Sequence, residues 1–194
     1  MKTGFSELLV KLNRLEEIGF KSWVFLPGML FNAVERWWNG GGERDRPHEG
    51  LDVRFFRDFS GELRSLEPGM KIPVMYEGEV AAIHDDFLGQ SVYVHHHSYG
   101  NKGAKLYTIY GHTSISRGVR TGRQLSEGDV LATVAGTVRN KAKVPPHLHI
   151  SIAWIAESVP SESLNWEIIS DPRVTVLLDP LEVIACDYTL LSNG

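Results

Sequence analysis

Two pairs of residues in this chain have the types and spacing that metal chemistry needs. His48 and Asp52 lie four positions apart in PHEGLDV, and His147 and His149 lie two apart in PPHLHIS. Alternate residues of a strand project from one face, so positions 147 and 149 point the same way. Pro145 and Pro146 bias the approach toward an extended path. Positions 48 and 52 share a face in an extended segment or in a helix. Zinc takes nitrogen and oxygen ligands in a tetrahedron, and a hydrolytic site uses three protein ligands with one place left open. His48, Asp52 and one histidine of the 147/149 pair would complete such a set. The remaining histidine would then stand beside the reacting water as general base or charge stabiliser. Either pair alone reads as a surface or packing pair. Together, on opposite sides of a strand-rich stretch, they fit a metal site as well as they fit that plainer role.

Other chemistries fit poorly. His48-Glu49 is followed by Asp52 where an H-E-x-x-H helix would need its second histidine. No glutamate follows His149 closely, as a cupin-like site would require. There is no G-x-S-x-G elbow and no phosphate-binding glycine loop. A net charge of -4 with neutral histidines lacks the basic footprint of a nucleic-acid binder. The single cysteine, Cys186, excludes an internal disulfide and a cysteine-based zinc site and reads as buried and inert. His95, His96 and His97 alternate faces if they lie on a strand, so they cannot all meet one ion. His84, beside Asp85 and Asp86, reads as a solvated turn residue. Trp37 and Trp38 read as packing residues. Arg44 and Arg46 read as surface residues, with a carboxylate-binding role as the functional alternative.

These candidates must be held by a scaffold, and the chain changes texture around residue 42. Phe5, Leu8, Leu9, Leu12 and Leu15 recur at helical spacing, and Gly19 makes a stop, which predicts a helix over 5–18. A second short helix is expected over Leu30 to Trp38, ended by Asn39-Gly40-Gly41-Gly42 as a flexible joint. Residues 1–42 thus read as an N-terminal helical appendage with a linker that could cover the cleft. Residues 43–194 read as the main domain. There, short apolar runs alternate with turn residues. Strands are expected at Leu51–Phe55, Ile72–Val74, Glu79–Ile83, Ser91–His96, Leu106–Tyr110, Val130–Val134, Leu148–Trp154 and Val174–Leu178. Residues 156–173 read as a long excursion. The expected fold is mostly β, a compact antiparallel sandwich or barrel-like domain.

The order of motifs resembles the lysostaphin/LytM-type zinc metallopeptidases. HEGLD at 48–52, YGH at 110–112 and HLH at 147–149 stand where that family carries H-x-G-hydrophobic-D, Y-x-H and H-L-H. YEGEVAAI, LSEGDVLATVAGT and DPLEV at 179–183 are similar to its intervening and closing segments, and the likeness spans about residues 44–184. It implies one zinc per chain on His48, Asp52 and His149. It also implies His147 and His112 as the non-ligand histidines flanking the attacking water, with His147 the preferred general base. The implied activity is hydrolysis of peptidoglycan stem or cross-bridge peptides. A non-catalytic LytM-type binding module, or a zinc peptidase acting on another peptide, is the alternative. The turn before HLH departs from the family's glycine- and serine-rich form, carrying Arg139, Lys141 and Lys143, which would favour an acidic partner. The N-terminus lacks a secretory h-region and no transmembrane span is visible. As written the chain reads as cytoplasmic, and as periplasmic or extracellular if a leader is removed.

Overall fold

The computed structural model describes residues 2–101, 103–136 and 144–191. The basic turn with Arg139, Lys141 and Lys143 lies outside them. Helix α1 (Phe5–Leu12) buries Phe5, Leu9 and Val10, as its apolar spacing predicts. It ends earlier than expected. The Asn13 side chain pairs with the Lys71 backbone in both directions, at 2.7 and 2.8 Å. Arg14 then turns left-handed (φ 53°), and only a 3-10 turn follows over Leu15–Ile18. Beyond it the chain forms β1 (Phe20–Phe25), which the helical reading of residues 1–42 omitted. No helix forms over Leu30 to Trp38. That stretch belongs to a loop closed on itself, in which Glu35 bridges Glu43. Asn39, Gly40, Gly41 and Gly42 all have positive φ at its tip. The expected joint is therefore a tight left-handed turn, a conformation that glycine allows.

The remaining elements are short strands. They are β2 (Leu51–Val53), β3 (Phe55–Asp58), β4 (Leu63–Ser65), β5 (Lys71–Pro73), β6 (Gly78–Asp85), β7 (Gln90–Asn101) and β8 (Ala104–Ile115). Then come β9 (Gln124–Leu125), β10 (Val130–Val134), β11 (Leu148–Ala156), α2 (Trp166–Ile169), β12 (Thr175–Leu178), α3 (Pro180–Val183) and β13 (Tyr188–Leu190). The large sheet runs β12-β11-β8-β7-β6-β9, with β2 on β11 and β10 joining β8 to β5. A smaller sheet runs β13-β1-β3-β4. The fold is mostly β, as expected, and the sheets do not close into a barrel. The pairs are antiparallel except β1 with β13, which bring the two ends of the chain together in parallel.

Strand alternation sorts the large sheet into two faces. Leu148, Ile150 and Ile152 of β11 join Tyr110 and Leu106 of β8 in the main core, together with Phe5, Leu9, Trp23, Phe25 and Leu51. The opposite face carries Tyr93, Ile109, Ala153 and Ile155, packed under Val159, Leu164 and Ile169 of the 156–173 excursion. His149 and Ser151 fall on this second side by alternation. The excursion is thus a cover over one sheet face. Asn165 caps α2 by accepting from the Ile168 N–H at 3.0 Å.

Candidate metal centre

Register brings the two distant motifs together. β2 pairs with β11 so that Asp52 lies opposite His149, and β8 pairs on the other side so that Gly111 also lies opposite His149. The approach depends on Gly50. A Cβ there would sit 2.1 Å from Ile150 O and 2.8 Å from Ser151 Oγ. This gives the glycine of HEGLD a physical meaning.

His48, Asp52 and His149 are buried and form a single cluster. His48 Nε2 lies 3.0 Å from Asp52 Oδ1 and 3.0 Å from His149 Nδ1, and His149 Nδ1 lies 2.9 Å from Asp52 Oδ1. Among the described residues, this is the one set of three ligand-type side chains converging this closely. The outer nitrogens determine what the inner ones offer. His48 Nδ1 is 2.9 Å from Leu30 O, a carbonyl that can only accept, so Nδ1–H donates to it. His149 Nε2–H can donate to Ser151 Oγ at 2.9 Å. The neutral rings then present lone pairs from His48 Nε2 and His149 Nδ1 beside the lone pairs of Asp52 Oδ1. Three acceptors facing one another are costly unless a cation lies between them. Zinc bonds of about 2.0–2.1 Å at tetrahedral angles put ligand atoms about 3.3 Å apart, so the donor set fits such an ion.

His147 stands beside this triangle. Its Nδ1–H donates to Pro145 O at 2.8 Å, and its Nε2 is 3.4 Å from Asp52 Oδ1. His112 completes the group, with ring centroids 4.7 Å from His147 and 5.8 Å from His149. Burial would raise the Asp52 carboxyl, but His48 and His147 hold it well below the usual carboxylate range. Burial pushes His149 down to about 3 and lowers His112, against the pull of Asp52 and Asp86 respectively. All five residues line one cleft of about 260 Å³, walled by Trp38, Phe87, Val144 and Trp166, with Arg44 and Glu49 at its edge.

The sequence model of peptidase family M23 matches residues 58–161. The chain belongs to peptidase family M23. The match takes in His112, His147 and His149 and begins after His48 and Asp52. No curated relative matches the chain. Among solved structures, the catalytic domain of a mutant of the prophage-encoded M23 protein EnpA from Enterococcus faecalis is similar at 20% identity and a TM-score of 0.39. That likeness covers 62% of this chain and 81% of that one. Two structures of complexes of SpoIIQ and SpoIIIAH are similar at 17% and 16% identity with TM-scores of 0.43 and 0.45. They cover 76% and 95% of this chain and 76% and 89% of theirs.

Around the M23 histidines lies a set of partners that spacing did not reveal. Asp86 accepts from the His112 backbone N–H at 2.8 Å and from Ser91 Oγ–H at 2.7 Å. Its Oδ2 lies 3.2 Å from His112 Nδ1, without the alignment of a hydrogen bond. Trp166 Nε1–H donates to Ser91 Oγ at 3.2 Å, and its ring stands edge-on to His149 at 5.1 Å. The excursion is thereby wired through Ser91 and Asp86 to His112. His112 itself has φ 63°. Regular alternation would send it toward Tyr110 and the core, and the left-handed turn swings it back into the cleft, a strain typical of functional positions. Trp37, read as packing, donates Nε1–H to Asp52 Oδ2 at 2.7 Å, and Arg44 Nη2 lies 3.4 Å from the same oxygen. These contacts join residues that no periodicity links.

His95, His96 and His97 lie apart from the cleft. His95 and His97 share a face, with rings 4.1 Å apart. His96 points into the core and bonds Glu77 O and Thr108 Oγ1. Cys186 is a half-buried thiol whose pKa burial raises to about 11.

Proposed function

We propose that this M23 chain is a zinc-dependent endopeptidase that hydrolyses peptidoglycan stem or cross-bridge peptides. The observation that carries the reading is the convergence of His48 Nε2, Asp52 Oδ1 and His149 Nδ1 within 3.0 Å of one another at a cleft floor. These three residues would hold the metal. Zinc supplies Lewis acidity there, polarising a scissile carbonyl and acidifying water.

The chain's own groups do the rest. His147 donates from Nδ1 to Pro145 O, so Nε2 carries the lone pair that takes a proton from the attacking water and passes it to the nitrogen of the breaking peptide bond, which leaves as the amine. His112 has Nδ1 beside Asp86 and Nε2 left for the cleft. The Asp86 carboxylate favours the protonated ring as negative charge develops on the substrate carbonyl, so Nε2–H donates to the oxyanion. Trp38, Phe87 and Trp166 give the cleft apolar walls against which an extended peptide of small residues can lie. The peptidoglycan assignment is supported by the family resemblance.

The test is digestion of purified peptidoglycan, and of glycine- and D-alanine-containing peptides, before and after chelation. New amino termini that vanish on chelation and return with zinc are the expected result. Zinc binding with no cleavage of any peptide would replace the endopeptidase by a non-catalytic binding module. Cleavage that chelation leaves unchanged would reject the zinc reading.

A further inference from the structure

Asp52 presents Oδ1 to the metal cluster, and its other oxygen is occupied. Both donors to Oδ2 come from one loop, Trp37 at 2.7 Å and Arg44 at 3.4 Å. That loop is a closed structure. Arg36 N–H donates to Gly42 O and Arg44 N–H to Val34 O, both at 2.7 Å. Arg44 anchors its base by donating to Gly28 O at 2.8 Å and lies over the Trp38 ring at 4.6 Å. Gly28 lets its turn touch the loop, since a Cβ there would meet Glu35 O at 2.8 Å and Trp37 N at 2.9 Å.

The same segment grips a second member of the cluster. Leu30 O accepts from His48 Nδ1–H, and the His48 backbone exchanges hydrogen bonds with Asn32 and Ala33 at 2.9 and 3.0 Å. The Trp37 indole also stands edge-on to His147, with centroids 5.2 Å apart.

We propose that segment 28–44 is the outer clamp of the metal centre, with Trp37 as the positioning residue that fixes Asp52 to bind through Oδ1 alone. This rests on the zinc reading of the cluster and adds a claim to it. A carboxylate tethered at one oxygen by a part-buried indole N–H cannot rotate or turn bidentate without breaking that hydrogen bond. Arg44 adds a cation beside the same oxygen, a second donor that holds it away from the cluster. The indole couples the ligand to the histidine that handles the proton.

Zinc dissociation constants measured by competition with a chromophoric chelator test this, comparing the full-length protein with Trp37→Phe. Phenylalanine keeps a ring against His147 and removes only the donor and the outer ring. The expected result is a Kd about 10- to 100-fold higher, together with a shifted visible spectrum of the cobalt-loaded protein. A merely structural tryptophan would lower the urea midpoint of the metal-free protein and leave the affinity of the folded fraction alone. A Kd within twofold of the parent overturns the clamp while leaving the zinc reading intact. Parent protein that binds no zinc overturns both. If Trp37→Phe does not fold, Arg44→Gln removes the other donor, and an unchanged Kd there overturns the proposal equally.

Discussion

His147, just before β11, and His149 within it enter the cluster by different nitrogens, Nε2 and Nδ1, because their outer nitrogens meet different partners. This difference separates their mutational effects. His147→Ala is expected to lower kcat by about 10²–10⁴-fold while the purified protein keeps its zinc. Asp52→Ala is expected to lose both, and metal analysis beside a peptide-cleavage assay distinguishes the two outcomes. His96 provides a pH test away from the candidate metal centre. Burial pushes its pKa down to about 4, against the hydrogen bond to the Glu77 carbonyl. In the unfolded chain a histidine titrates near 6.5. As pH falls, the unfolded state takes the proton first. The stabilisation from a neutral His96 is thus complete above about 6.5 and disappears as pH drops through about 4. It is on the order of 3 kcal/mol. Urea midpoints of the metal-free protein should fall between pH 7 and pH 4.5, and fall less in His96→Gln. An equal fall in both would assign the acid sensitivity to other histidines whose pKa burial lowers, such as His112 and His95.

At the scale of elements, the centre depends on how closely β2 can approach β11. Gly50 has no side chain to collide with Ile150 O, so Asp52 reaches its register opposite His149. Gly50→Ala must push the strands apart. Overpacking of this kind costs about 3 kcal/mol or more, and here the displacement passes directly to Asp52. A loss of thermal stability with a larger loss of zinc affinity is expected. A variant with parental melting temperature and zinc content would show that the β2–β11 contact tolerates separation. The strands that carry the site were legible because their apolar runs are long and bounded by turn residues, as in β7, β8, β10 and β11. The loop at 34–44 was not legible. Its glycines signal a turn, but whether that turn is a joint or a closed tip depends on Gly28 and Arg44, which lie outside any local pattern. For the same reason Trp37 reads from sequence only as packing, and Asp86 carries no role. Their roles come from contacts 15 and 26 residues away in the chain.

Across the whole molecule, the segment before residue 43 is built into the same core as the sheet behind the cleft. β1 lies between β3 and β13. Its Trp23 and Phe25 are buried with Phe5, Leu9 and Met29 against Leu51, Val53 and Tyr110. The sequence reading missed β1 because its burial is continuous only at one end, over Trp23 to Phe25, and because its partner β13 is more than a hundred residues away in a parallel pair. This arrangement reverses the expected result of truncation. A removable cover would give a more active enzyme once residues 1–40 were deleted. Deletion here strips one central strand from the smaller sheet, removes Phe5, Leu9, Val10, Leu15, Trp23, Phe25 and Met29 from the core and takes away Trp37, one donor to Asp52. Each such core side chain contributes roughly 2–5 kcal/mol, and a domain of this size has only about 5–15 kcal/mol in total. The truncated chain should therefore be insoluble or lack the circular-dichroism signal of folded β structure, with no cleavage of peptidoglycan. A soluble, folded and more active product would mean that the sheet holds its shape without β1, and that the N-terminal segment restrains the enzyme.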